Sequence, residues 1–537
     1  MPAQRSVART GLLLAAVLAL CRIASLGKEL LVAGRFGAGD SIDAYALALL
    51  VPALALALYL SAVRRAYLVE APRRVDTAEL ASFTNRYLAQ VLLFSAGLAL
   101  LAWWLLPYAW PLLLAPDRYQ SLEKELARLN VPIALLILPT AAVSALTAVL
   151  NARHSFASPQ WTHVLPTAAI VAAVLLGDTS QGAGLLAWGL LLGSCGQAMV
   201  LARLVHRAGH RFLAHDGSPL RGAAGFVAVV LPFLWMDAIG QLNVLVDRGM
   251  AGGLPAGRLS ILYWAALGKD FLSGTLIASM LWVLLPRFAE QVAAGDHDGL
   301  RHGCSRLVRF AAVLLLPVSA LVLLAGYTLL GELSLDALAQ DDCRRLGITL
   351  GGYAWGLFPE LAGLALVQAV LVLGRFRQLA VIGLLGLLLP NLLLNLLLIG
   401  PFQELGLALS TSATAWLLLG VAAWAVDRSI GLENPRGIAA SVLRAFAFST
   451  LAGLGGWGLD AWLGSGPAAA VAAIGFATLA YLGLALGWPG HPDAQEALRT
   501  WRRRDGHDHH NQHNQHDQHD QHDQHDDQDT PTRSVPS

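Results

Sequence analysis

The sequence predicts an all-α, polytopic membrane protein. Of its 537 residues, 56% are hydrophobic and only 14% are charged. The mean hydropathy is +0.56, which excludes an ordinary soluble globular protein. Apolar runs long enough to cross a bilayer recur along most of the chain, and the connections between them are too short for a separate catalytic domain.

A bilayer-spanning helix needs about 20 largely apolar residues, and about fourteen segments satisfy this requirement. They cover approximately residues 10–35, 41–66, 86–113, 127–151, 160–178, 183–205, 222–248, 258–286, 305–331, 346–373, 378–400, 403–426, 438–463 and 466–488. Spans one and seven, and spans two and eight, carry ionisable groups at matching places, which indicates a six-plus-six repeat. The predicted domains are an N-terminal lobe (1–215), a C-terminal lobe (216–430), two further helices (431–490) and a disordered tail (491–537).

The distribution of arginine predicts the orientation, because cytoplasmic loops carry an excess of cations. Arginines cluster in alternate loops, beginning with Arg64 and Arg65, and the N-terminus and the tail fall on the same side. Both termini are therefore predicted to be cytoplasmic, with an even number of spans in a bacterial inner membrane. The basic, apolar N-terminus is interpreted as a retained first helix.

Two of the three lysines, Lys28 and Lys269, lie inside predicted spans. A charge at bilayer depth is costly, so such residues usually face a wet cavity or a partner. In span one, Arg22 and Glu29 are seven residues apart and share a helix face, with Lys28 to the side. Two cations and one anion suit a diphosphate, although an ion-pair cluster that only fixes helix packing is the alternative.

Other charged residues extend this candidate binding site. Lys269 completes a cationic site opposite Lys28, or else belongs to a buried pair with Asp270 and partners on other helices. Asp43, early in span two, is a candidate gate or proton site. Arg64 and Arg65 are interfacial anchors or line the inner mouth. The candidates for ion coupling are Asp237, Asp247 and Glu360.

Several functional classes are not indicated by the motifs. No GxxxxGK[ST], HExxH or GxSxG pattern appears, so transport must be driven by an ion gradient, the membrane potential or mass action. No cofactor is expected beyond a possible coupling cation, and no basic block with interleaved aromatics predicts nucleic-acid binding. The His/Asp/Gln-rich tail, including His507, His509 and His510, is a weak metal chelator or a solvated repeat.

Four stretches together resemble the MurJ/MviN family of the MOP exporter superfamily. They are residues 22–45 followed by Val51-Pro52, residues 246–257, residues 284–300 and residues 395–408. Each motif is weak alone, but the four occur in the family's order and spacing. The resemblance implies a fourteen-helix, two-lobed, alternating-access transporter. It also implies transport of lipid II, the undecaprenyl-diphosphate-linked peptidoglycan precursor used in cell-wall biogenesis, from the cytoplasmic to the periplasmic leaflet.

The resemblance also assigns positions in the cavity. The family's first-helix arginine matches Arg22, its arginine–aspartate pair matches Lys28–Glu29, and its second-helix aspartate matches Asp43. Family arginines are replaced at three positions of this chain: Leu56, Ala57 and Leu267. Arg64, Arg65 and Lys269 are expected to restore the positive charge from shifted positions.

The expected function is a flippase for an undecaprenyl-diphosphate-linked glycan. Arg22, Lys28 and Lys269 would bind the diphosphate, while Glu29, Asp43 and Asp270 would form ion pairs that change between states and close one mouth or the other. One alternative is a flippase for another lipid-linked repeat unit, of exopolysaccharide or O-antigen type. A glycosyltransferase is less favoured because the outer loops are short, and a non-transporting scaffold is a third option. The expected partners are the lipid-linked glycan, membrane lipids and the envelope polysaccharide synthesis machinery.

Overall fold

A computed structural model shows an almost entirely helical protein, which confirms the all-α prediction. The residues it describes are 20–60, 63–64, 67–68, 71, 77–153, 155, 157–178, 181–210, 212, 243–330, 337–464, 466–487, 491–493 and 495. Within these ranges, eight helical segments are long and apolar enough to cross a bilayer, and a shorter apolar helix covers Trp161–Leu176. The prediction of a polytopic membrane protein is thereby supported, while the count of fourteen spans stays a prediction.

In the described part of its first half, the chain forms seven principal helices. These are α1 (20–36), α2 (Asp40–Ala48), α3 (Leu50–Leu54), α4 (Thr77–Leu113), α5 (Pro116–Ala152), α6 (Val164–Leu176) and α7 (Ala183–Arg207). A π-helical turn, Ala55–Leu60, follows α3. Helices α4 and α5 begin about ten residues before the predicted spans, because polar residues with good helix propensity extend each helix beyond its apolar part.

The second half forms nine principal helices in the described ranges. These are α8 (243–251), α9 (Arg258–Ala293), α10 (His297–Ala325), α11 (Gln340–Ala354), α12 (Leu357–Val372), α13 (Phe376–Gly383), α14 (Leu389–Ile430), α15 (Pro435–Leu463) and α16 (Pro467–Leu486). Helix α14 covers the second half of the span predicted at 378–400 and all of the span predicted at 403–426. It is interrupted at Gln403, whose φ of 51° and ψ of −126° are not helical. It therefore consists of two helices that meet at a sharp bend.

Among the described residues, one core of buried apolar side chains joins the two halves, and the two largest of the other cores each lie within one half. The joining core includes Ala44, Leu122, Leu186, Leu259 and Leu407, from helices of both halves. A second core lies between α4, α5 and α7, and a third lies between α10, α12, α14 and α15. We call the end of the molecule with the joining core the gate end; it carries the turn 37–39 and the first turn of α9.

Candidate functional site

Three charged side chains of α1 are predicted site residues, and they pair within that helix or lie against α9. Lys28 and Glu29 form an ion pair, and only 14% and 13% of their side chains are exposed. One terminal nitrogen of Arg22, Nη1, donates to the carbonyl oxygen of Phe271 at 3.1 Å. A Cβ atom at Gly274 would lie 2.5 Å from both terminal nitrogens of Arg22, so glycine at this position leaves room for the guanidinium.

The charges in the middle of α9 are paired mainly with α12. Lys269 Nζ lies 3.0 Å from one carboxylate oxygen of Glu360 and 3.1 Å from the other, and Ser273 also contacts this carboxylate. The distance from Lys269 Nζ to the Asp270 carboxylate is longer, 3.7 Å, and 63% of the Asp270 side chain is exposed. Lys269 is therefore paired with Glu360 of the same half. It does not form an unneutralised cationic site opposite Lys28.

A cleft of about 210 Å³ separates α1 from α9 at this level. Its lining includes Arg22, Ser25, Glu29, Leu267, Asp270 and Phe271. Sequence reasoning placed one cation and two acids of this set in the candidate site, and the structure brings them around one space. A polar headgroup in this cleft would meet both signs of charge.

Asp43 fastens the first half of the molecule to the second at the gate end. Its side chain is fully buried. The carboxylate accepts hydrogen bonds from the backbone amides of Gly257 at 2.8 Å and Ser260 at 2.7 Å, and also from the Ser260 hydroxyl. These amides belong to the N-cap and first turn of α9, where amides have no partner within the helix and the helix dipole favours negative charge. Asp43 thus caps a helix of the opposite half.

Arg118 completes this arrangement and was not identified as a site residue from the sequence. Its guanidinium, at the start of α5, binds Asp40 at 2.8 Å and Asp43 at 2.9 Å. Its only signal in the sequence was that it is a cation in a loop on the cation-poor side. All three residues belong to the first half, so the ion pairs of Arg118 do not join the halves, whereas the hydrogen bonds that α9 donates to Asp43 do. A Cβ atom at Gly257, whose φ is +82°, would lie 3.1 Å from the Ala38 carbonyl oxygen.

A second polar cluster surrounds Asp247 on α8. One of its carboxylate oxygens accepts from Asn395 Nδ2 at 2.6 Å, and the other accepts from the Thr411 hydroxyl at 3.2 Å. Asn395 also donates to Asn391 at 2.9 Å, and both asparagines are fully buried. The sequence predicted that the asparagines share a face, but Thr411 was missed because it lies beyond the bend of α14. Carboxylate, amide and hydroxyl oxygens suit a hard cation rather than a transition metal.

Glu404, directly after the bend of α14, was also missed by sequence reasoning. Its carboxylate is almost fully buried and lies 3.4 Å from Arg258 and 3.8 Å from Arg345. Arg258 is the first residue of α9, so Glu404 fixes the same helix end that Asp43 caps from the other half. The only hint in the sequence was a charged residue in the short turn between two predicted spans.

Two of the remaining candidates lie within the described residues. Arg64 is exposed, and Glu360 is the partner of Lys269 rather than a separate cation site. Arg65, Asp237, His507, His509 and His510 lie outside the described residues. Across the described ranges, no group of three or more His, Cys, Asp or Glu side chains is placed to hold a metal ion.

Two known proteins with similar sequences are both described as probable lipid II flippases. The probable lipid II flippase MurJ of Treponema pallidum is 22% identical over 438 residues, which are 77% of this chain and 81% of that protein. The probable lipid II flippase MurJ of Thermotoga maritima is 23% identical over 350 residues, which are 63% of this chain and 68% of that protein.

Solved structures share the fold. A lipid II flippase MurJ in an inward closed conformation superposes with a TM-score of 0.75 at 15% identity, covering 88% of this chain and 97% of that one. An inward-facing MATE multidrug-resistance transporter of the MOP superfamily has a TM-score of 0.61 at 12% identity, covering 79% and 98%. The family model described as lipid II flippase MurJ matches residues 32–467, and the chain therefore belongs to the MurJ family.

Proposed function

We propose that this protein moves lipid II from the inner to the outer leaflet of a bacterial inner membrane by alternating access. The observation that carries the mechanism is the Asp43 cap on α9, a buried, charge-assisted contact between the halves at the gate end. Membership of a family of flippases confirms the expectation of a transporter rather than an enzyme. The gate end is then the periplasmic end, which agrees with the arginine distribution and with cytoplasmic termini.

In this mechanism the α1–α9 cleft binds the diphosphate while the gate end is closed. Arg22 is the cation that lines the cleft directly, and its guanidinium suits a bidentate phosphate contact. When the gate end opens, the hydrogen bonds that α9 donates to Asp43 break. The ion pair between Asp43 and Arg118 is retained, because both residues belong to the first half. A state change driven by the substrate requires that the two states bind it with different affinity.

We propose that Asp43, rather than every buried acid of the candidate site, changes its contacts between states. Lys28–Glu29 lies within α1, and Lys269–Glu360 joins two helices of the second half. Neither pair crosses between halves, so rotation of one half against the other does not break them. Asp43 is the acid whose described contacts cross between the halves and change with state.

A leaflet-accessibility assay in proteoliposomes tests the function. We expect the wild-type protein to move labelled lipid II and to discriminate against other lipid-linked glycans. Arg22→Ala should abolish transport without loss of folded protein, whereas Arg428→Ala, at an exposed arginine remote from the cleft, should transport normally. Equal transport of an unrelated lipid-linked repeat unit by the wild type would reject the assignment of lipid II.

We further propose that a small cation binds at Asp247 and couples its gradient to the cycle. The support is the partly buried, oxygen-rich cluster formed by Asp247, Asn391 and Thr411. Asp247→Asn removes the only carboxylate among these oxygens, so transport should lose its dependence on a cation gradient. Measuring the rate under imposed sodium, potassium and proton gradients checks this; an unchanged dependence in the variant would exclude Asp247.

A further inference from the structure

The charges around the α1–α9 cleft balance each other. The described side chains that line the cleft, together with every charge connected to them through the described ion pairs, directly or through a shared lysine, comprise three cations and three carboxylates. The cations are Arg22, Lys28 and Lys269, and the carboxylates are Glu29, Asp270 and Glu360. Because Lys28–Glu29 and Lys269–Glu360 each lie within one half of the molecule, this balance persists when the halves move.

A balanced cleft is a poor complement for a headgroup that carries only negative charge. Electrostatic interactions are strong in the low-dielectric membrane interior, so the carboxylates oppose a diphosphate while Arg22 attracts it. A headgroup that also carries a cation would satisfy both signs of charge. Among the three carboxylates, Asp270 is the most exposed, at 63%, and its distance to Lys269 is 3.7 Å, whereas Glu360 lies 3.0 Å from the same nitrogen.

We propose that Asp270 is a specificity residue that binds an ammonium group of the substrate headgroup while Arg22 binds the phosphate. This inference rests on the proposed function and names the part of the headgroup that the cleft recognises. Both side chains line one space of about 210 Å³, so the ammonium and the phosphate must lie close together in the bound substrate. A flexible peptide with a free side-chain amine can fold back to place its ammonium there.

The test compares two forms of lipid II with the purified full-length protein in nanodiscs. One form has a free side-chain amine on its peptide, and in the other this amine is acetylated, which removes its charge. The wild type should bind the free amine about tenfold more tightly, equivalent to about 1.4 kcal/mol. Asp270→Asn should bind both forms equally, and the control Asp298→Asn, at a side chain that is 90% exposed on α10, should keep the preference.

Three results would overturn the proposal. The first is equal binding of the two forms by the wild type. The second is a preference for the free amine that survives in Asp270→Asn. The third is full recovery of binding by the acetylated form when Mg²⁺ is added, since a metal ion would then supply the cation. Transport of unmodified lipid II by the same preparations separates this inference from the function itself. Transport without an amine preference rejects the role of Asp270 alone, whereas an amine preference without transport supports that role and rejects the flippase.

Discussion

At the scale of single residues, Asp43 carries the contact most directly connected with the transport cycle. Its carboxylate is fully buried, accepts hydrogen bonds from two backbone amides and a hydroxyl, and forms an ion pair with a guanidinium. Hydrogen bonds to a charged group contribute about 1.5–3 kcal/mol each, so losing the charge should favour the open gate end. The contact is long-range, since Asp43 and Gly257 are 214 residues apart in sequence.

Asp43→Asn should reduce the closed population of the gate end by an order of magnitude or more. Spin labels on cysteines at the exposed positions Asp117 and Arg344, at the starts of α5 and α11, would report the distance across this end. The matched control is Asp40→Asn, because Asp40 also binds Arg118 but has no described hydrogen bond to α9, and 40% of its side chain is exposed. Identical distance distributions for both variants and the wild type would argue against the cap.

The Lys269–Glu360 pair leads to a prediction about stability. Removing either partner leaves a charge that is largely buried, which should lower the free energy of unfolding by about 1–3 kcal/mol after allowance for partial exposure. The combination Lys269→Met with Glu360→Leu should be more stable than either single variant and should still transport lipid II. Thermal unfolding in detergent measures this cycle, and strictly additive losses would show that the two residues are not coupled.

Sequence reasoning found residues whose chemistry conflicts with an apolar segment, and it missed their partners. Lys28, Asp43 and Asp247 are noticeable because a charge in a membrane span is costly. Arg118, Thr411 and Glu404 lie near span ends or among ordinary small polar residues, where nothing in the local pattern marks them. Their roles depend on contacts between helices distant in sequence, and only the fold brings these together.

At the scale of elements, α9 is the helix on which the candidate sites converge. Its first turn is capped by Asp43 and fixed by Glu404, and its middle carries Lys269 and Asp270 beside the cleft. The sequence predicted a span at 258–286, and the observed helix, Arg258–Ala293, begins at the same residue. The beginning was predictable because Gly257 follows a proline-containing turn, whereas the polar end continues as helix beyond the apolar run.

A disulfide across the gate end should stop the cycle. A Cβ atom built on Gly257 lies 3.3 Å from the Cβ of Ala38, close to the roughly 3.5–4.5 Å of natural disulfides. We expect oxidised Ala38→Cys/Gly257→Cys to lose lipid II transport and to regain it after reduction. The positive φ at position 257 adds strain of about 1–2 kcal/mol, so each single-cysteine variant serves as the control. Normal transport by the cross-linked protein would mean that this end does not open.

The bend in α14 shows where the pattern of apolar residues was most informative. The sequence separated this region into spans at 378–400 and 403–426, and the backbone breaks at Gln403, within that boundary. Pro401 and the polar pair Gln403–Glu404 interrupt the apolar run, which is why the division was visible. That the bend also brings Asn395 near Thr411 could not be predicted, because the direction of the second helix depends on its packing.

At the scale of the whole molecule, the arrangement of the cores explains how two halves can move as units. The halves share buried side chains at the gate end and have separate cores elsewhere in the described structure. The fold class and the family were predictable because both depend on composition and ordered motifs. The lobe boundaries at 215 and 430, the number of spans and the position of the termini stay predictions.

The cap on α9 also has a consequence for how this chain can evolve. Two of the donors that Asp43 engages are main-chain amides, which every amino acid except proline supplies. A substitution of Ser260 by any residue except proline therefore removes the hydroxyl and changes the strength of closure, but the backbone amides that bind the carboxylate remain. Selection on this contact therefore acts almost entirely on position 43. A homologue without an acid at this position should close its periplasmic end through a different contact.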